Sequence, residues 1–162
     1  MSLWKFPSLL MLAFALLGNA AWGASPEEPA PGIKIIHSDF GLFNLSDSGK
    51  FVFVPTRTVP LVPGQAYGWA IELSTDKPEI KLTEDFILPA KPATWGNEEP
   101  GSKRVITPDQ RIAITRQTVK PENGIISSIW NVAPGDPAGS YIIHVYVEDT
   151  LVAIYDFEVK LE

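Results

Sequence analysis

Residues 134–157 read PGDPAGSYIIHVYVEDTLVAIYDF. Two runs of alternating side chains flank a short acidic bridge, and a Pro/Gly-rich corner leads into the first. Tyr141, Ile143, Val145 and Val147 fall on one face of the first run. Tyr155, Phe157, Val159 and Leu161 fall on one face of the second, against Asp156, Glu158 and Lys160. A slip of one residue would bury Asp156, because strand side chains alternate strictly. Joining both apolar faces to one core selects a loop with an odd number of residues, most simply Glu148-Asp149-Thr150. Val147 then sits opposite Leu151, Ile143 opposite Tyr155 and Tyr141 opposite Phe157. The same register leaves Ile142, His144, Tyr146, Val152 and Ile154 on the outer side, with Tyr146 opposite Val152 and His144 opposite Ile154. An outward sheet face is ordinarily polar. This cluster is therefore expected to be covered, either by a partner or second copy, or by a loop of the same chain.

Other short runs with period two precede this hairpin, separated by Pro, Gly, Asn and Asp. They are residues 33–43, 50–54 after the turn SDSG, 67–73, 80–82, 111–115 and 124–130, the last two joined by PENG. Pro55, Pro60, Pro63 and Gly64 mark an irregular passage, since proline cannot donate to a central ladder. No segment keeps an apolar period of 3.6 over two turns. The pattern predicts an all-β chain, a single immunoglobulin-like β-sandwich of seven to nine short antiparallel strands. Trp69, Trp130, Tyr141, Tyr155 and Phe157 are expected in its core, where aromatic side chains dominate. Residues 89–110, PAKPATWGNEEPGSKRVITPDQ, read as one long loop, and such loops are usually functional or disordered. Its Trp95 either folds back as a plug or stands out as a contact residue.

The chain opens with one basic residue, Lys5, then an apolar run whose uncharged core, residues 9–17, is far short of the ~20 residues of a membrane span. Ala21-Trp22-Gly23 supplies a small-x-small cleavage site. This order predicts a secretory signal peptide over 1–23 and a periplasmic or secreted mature protein. SPEEPAPG then reads as a flexible leader ending at residue 32, and the sandwich domain takes 33–162. Removing 23 of the 162 residues leaves about 139, enough for one core. Loss of Lys5 leaves 12 basic against 19 acidic side chains, a formal charge of −7. Such a domain repels phosphate backbones and anionic lipid, so nucleic acid is not expected as a partner.

With no cysteine there is no disulfide and no thiol chemistry. His37-Ser38-Asp39 resembles a triad in a row, yet neighbours in a strand point to opposite faces. Two isolated histidines, His37 and His144, do not make a zinc site. Asp47, Asp76, Glu98, Glu99, Asp136, Glu148 and Asp149 are scattered, without the spacing of a calcium loop. No cofactor, metal or catalytic residue is predicted.

Trp130, PGDPAGSY with Tyr141, alternating residues, a short turn and a closing Phe-x-Val are similar to the last strands of bacterial immunoglobulin-like domains. FGLF (40–43), VPLVPGQAYGWAIEL (59–73) and the LVAIYDFEV end resemble, more narrowly, the exported bacterial family called domain of unknown function 3859. The resemblance spans about residues 33–161. It implies a β-sandwich and an exported location, and it carries no catalytic residues.

The function expected is a non-catalytic exported module that binds protein or surface polymer. Its candidate contact residues are Trp95, Ile142, His144, Tyr146, Val152 and Ile154, and the final hairpin offers a face for homo-oligomers. The alternative is an enzyme accessory or inhibitor that inserts the Trp95 loop into a partner, and a third reading is a hydrolase built from distant loops.

Overall fold

The chain's computed structural model describes residues 28–46, 49 and 51–161. The expected signal peptide and the first residues of the leader lie outside them. The described residues form ten strands and no helix. They are β1 Ile33–Leu45, β2 Phe51–Pro55, β3 Thr58–Pro60, β4 Ala66–Thr75, β5 Ile80–Ile87, β6 Ser102–Ile106, β7 Ile112–Val119, β8 Ile125–Asn131, β9 Gly139–Val147 and β10 Thr150–Lys160. Two sheets result, a four-stranded one in the order β2-β1-β4-β8 and a six-stranded one in the order β3-β10-β9-β5-β7-β6. Only β3, which runs alongside the end of β10, pairs in parallel. The fold is an all-β, immunoglobulin-like sandwich.

The core is the space between the sheets, and period-two alternation fills it. β4 contributes Tyr67, Trp69, Ile71 and Leu73, and β9 contributes Tyr141, Ile143, Val145 and Val147, all buried. Phe40 of β1 stacks on Phe157 of β10 with ring centroids 4.2 Å apart, which ties the two sheets face to face. Trp69 is wholly inaccessible and lies parallel to Tyr155. Each such ring buries roughly 150–250 Å². At Gly68 a β-carbon would lie 2.0 Å from the Ser128 carbonyl oxygen, so only glycine lets β8 come this close.

The hairpin keeps its expected core register but reaches it differently. Tyr141 faces Phe157 and Ile143 faces Tyr155. The turn, however, has two residues, Glu148 and Asp149, both in the left-handed region, with Val147 opposite Thr150. This is the turn geometry whose twist suits a hairpin. An even turn would place the strand on the wrong face, and a bulge between Leu151 and Ala153 restores the parity. Val152 is consequently 1 % exposed and packed in the core, not on the outer face, and Tyr146 faces Leu151.

Two further expectations are corrected. Ten strands replace seven to nine, because β3 and β6 are added. The long loop is shorter than 89–110, since β6 rises within it and pairs with β7. Ahead of β1, Pro29 is buried, and its carbonyl accepts a hydrogen bond from the Thr150 hydroxyl at 2.9 Å.

Candidate functional site

β5 alternates Ile80, Leu82, Glu84 and Phe86 toward the core. The third of these positions puts a carboxyl group, 4 % exposed, among aromatic side chains. A buried carboxyl must be partnered, and tryptophans from the opposite sheet do this. The indole N–H of Trp69 donates to Glu84 Oε2 at 2.5 Å, and that of Trp130 donates to Oε1 at 2.9 Å. Burial pushes the Glu84 carboxyl above the usual range. The two indoles, Ser128 and the charge of Arg104 oppose that shift without reversing it.

Beside this group the sandwich opens into a cleft of about 290 Å³ on the flank where β8 and β6 are the edge strands. Trp130 is half-buried there, packed against the core rather than sealed within it. Arg104 of β6 lies with its guanidinium 5.2 Å from the centre of the Trp130 ring. Its Nε–H reaches the Thr115 hydroxyl at 3.4 Å, and its Nη1 donates to the Trp95 carbonyl at 2.7 Å. Asp136, whose carboxylate accepts the Ala133 N–H, stands at the other side, and burial raises its pKa. Tyr141 lines the cleft with its ring and gives its hydroxyl proton to the Pro137 carbonyl at 2.6 Å. That bond clamps the corner before β9.

Trp95 folds back over this opening. Its ring meets Phe86 edge-on at 5.9 Å and Trp130 at 6.4 Å, and its indole N–H donates to the Gln110 carbonyl at 3.0 Å. It is partly buried, as Trp130 is. Trp95 is therefore both plug and surface. The Pro/Gly-rich segment that carries it rests on the corner at Gly135, where Ala93 N–H meets the Gly135 carbonyl. It does not cover the outer face of the final hairpin.

On that outer face Ile142, His144 and Tyr146 are half-buried and Ile154 is 47 % exposed. His144 pairs with Ile154 on one side and Asp85 on the other, and the row continues through Ile114 to Val105. Burial, with Asp85 close by, raises the pKa of the Tyr146 hydroxyl, and its ring stands edge-on to His144. The face thus extends well past the hairpin. His37 Nε2 lies 3.9 Å from Asp39 Oδ2, while Ser38 is paired with Ile71 on the core side, so the three do not converge. Among the described residues no three His, Asp or Glu side chains gather as metal ligands do, and no helix is long and apolar enough to cross a membrane.

Sequence reasoning missed Glu84, Arg104 and Asp136 as members of one site. A signal existed for Glu84. Once the strand beginning at Ile80 is continued beyond Leu82, period two places an acid at a core position between Leu82 and Phe86.

The solved structures agree with this architecture. The crystal structure of an immunoglobulin-like protein, PA1606, from Pseudomonas aeruginosa matches with a TM-score of 0.54 at 20% identity, over 79% of this chain and 96% of that one. At that identity the likeness speaks for the fold alone. The alkylpurine DNA glycosylase AlkC of Pseudomonas fluorescens, bound to DNA containing an abasic site analogue, matches at a TM-score of 0.37 and 13% identity. That match covers 80% of this chain and 30% of the other, and it carries no argument. No curated protein matches the chain. The narrower resemblance to domain of unknown function 3859 accordingly reduces to a coarser statement, a bacterial β-sandwich. A family model for the PM0630 beta sandwich domain matches residues 38–160, and the chain belongs to that family.

Proposed function

We propose that the chain is an exported, non-catalytic binding module, periplasmic or secreted, whose ligand enters the cleft beside Trp95. The observation that carries this reading is the state of Trp95. Its ring is held in place by Gln110 and its backbone by Arg104, yet the residue is only partly buried, at the mouth of a cavity lined by aromatic and polar groups. Ligand sites are commonly concave, preformed and lined in this mixed way. The signal-like N-terminus supports export, and the motifs at 40–43 and 59–73 support a kinship with domain of unknown function 3859. Insertion of the Trp95 loop into a partner enzyme fits less well, because the indole points inward and would first have to leave Gln110.

A second reading is favoured by the outer row from Val105 to Ile154. It makes that face a contact between two copies of the chain, as an isologous interface would use it. Both readings meet one experiment, a pull-down from the exported fraction with three baits. These are the mature chain, its Trp95→Ala variant and its Tyr146→Ser/Ile154→Thr variant. A ligand lost with Trp95→Ala alone supports the cleft. A ligand lost with the double variant alone moves the site to the outer face.

A further inference from the structure

We infer, resting on the cleft reading above, that the cleft takes an uncharged sugar unit, either free or within a glycan chain. Its charges narrow the choice first. Arg104 is the one cation among the lining residues and is already engaged by the Thr115 hydroxyl and the Trp95 carbonyl, while Glu99 and Asp136 add negative charge, so an anionic ligand is disfavoured. A cationic ligand finds its natural seat taken. The face of Trp130 already holds the Arg104 guanidinium, and both Glu84 oxygens already hold indole N–H groups. The ligand that remains is neutral, with an apolar face and a rim of hydroxyls.

The walls have that dual character. Trp95, partly buried at the mouth, offers apolar surface to ring C–H groups, and it is backed edge-on by Trp130 and by the buried Phe86, all three rings standing within 6.4 Å of one another, centre to centre. Around them the amides of Gln117 and Asn131 and the hydroxyl of Ser128 can donate to and accept from sugar hydroxyls, and the Asp136 carboxylate can accept from them. At about 290 Å³ the cavity lies at the bottom of the roughly 300–1,000 Å³ range of small-molecule sites. It suits a mono- or disaccharide unit rather than a larger ligand.

The mature chain retains Trp69, Trp95 and Trp130, so a nitrogen-15-labelled sample reports three indole N–H resonances. It is titrated with maltose, cellobiose and N,N′-diacetylchitobiose, with glucosamine and digalacturonic acid as charged controls. At least one neutral disaccharide is expected to shift the Trp95 and Trp130 resonances saturably, with Trp69 moving least. Gln117→Leu, which keeps the side-chain bulk and removes both hydrogen-bonding groups, is expected to weaken that binding about tenfold. Co-sedimentation with amylose, cellulose and chitin distinguishes a polymer site from one for free sugars. Shifts caused only by the charged controls would overturn the sugar assignment and leave the cleft as a binding site. No shift with any compound up to millimolar concentration would overturn it as well. In that case the Trp95→Ala pull-down decides independently whether the cleft binds anything.

Discussion

Trp130 reaches across the gap between the sheets and hydrogen-bonds Glu84 Oε1 at 2.9 Å, so an indole of the smaller sheet satisfies an acid of the larger. Trp130→Phe keeps an aromatic ring against Phe86 and removes the donor together with part of the indole's bulk. A buried acceptor left unpaired costs about 1–3 kcal/mol, and urea unfolding of the purified variant is expected to show a loss in that range. A loss below about 0.5 kcal/mol, within the usual scatter of surface changes, would mean that water replaces the indole at no cost.

Glu84 also sets a pH dependence. Its folded carboxyl titrates above the ordinary range because it is buried. Between the unfolded value and the raised folded value, the native state holds more protons than the unfolded chain. Stability from this group is therefore fully present below the unfolded value and is lost as pH rises through the folded one. Glu84→Gln is expected to flatten that segment of the stability profile, measured by thermal melts across mildly acidic to neutral pH. An unchanged slope would assign the dependence elsewhere.

Two tyrosines make a contrasting pair. The Tyr141 hydroxyl donates to the Pro137 carbonyl, whereas the Tyr155 hydroxyl, buried beside Ser38, has no partner in good hydrogen-bond geometry among the described residues. Tyr141→Phe is expected to cost about 1 kcal/mol, while Tyr155→Phe is neutral or stabilises by up to about 1 kcal/mol. Parallel denaturant titrations compare them, and equal losses would contradict the contrast.

The bulge in β10 predicts opposite behaviour at neighbouring positions. Val152→Ala removes buried methyl groups and is expected to cost about 1–3 kcal/mol. Ile154→Thr, on the exposed row, is expected to stay within about 0.5 kcal/mol for the monomer. Sedimentation velocity on the Tyr146→Ser/Ile154→Thr variant then tests the outer face. Weakened self-association with unchanged stability supports a contact between copies, and a monomer in both forms rejects it.

The sandwich was legible because its longest strands alternate cleanly and their apolar faces allow only one register. Residues 141–147 and 155–159 fixed which side of the final hairpin is core. What period two could not show was how parity is met. An odd loop and an even turn followed by a bulge serve the register equally, and they differ in where Val152 points. β3 has three residues ending in proline, and β6 lies in a Pro/Gly-rich passage, so neither has enough alternation to stand out. The cleft was less legible than the fold. Its members come from β4 to β9 of both sheets and from two loops, and Glu84 occupies a core position that an apolar pattern reads as the end of a strand.

The order of strands in the larger sheet has a consequence in time. β9 and β10, the last two strands of the chain, lie inside that sheet, with β10 joining β3 to β9 and β9 joining β10 to β5. A chain synthesised from its N-terminus thus makes the flanks first and the middle last. Until residues 139–160 arrive, β3 and β5 have no neighbour on the side where the sheet must close. Pairings this distant in sequence form slowly. A nascent chain cut at residue 138 is expected to remain open to protease, and the full chain to become resistant in one step upon completion.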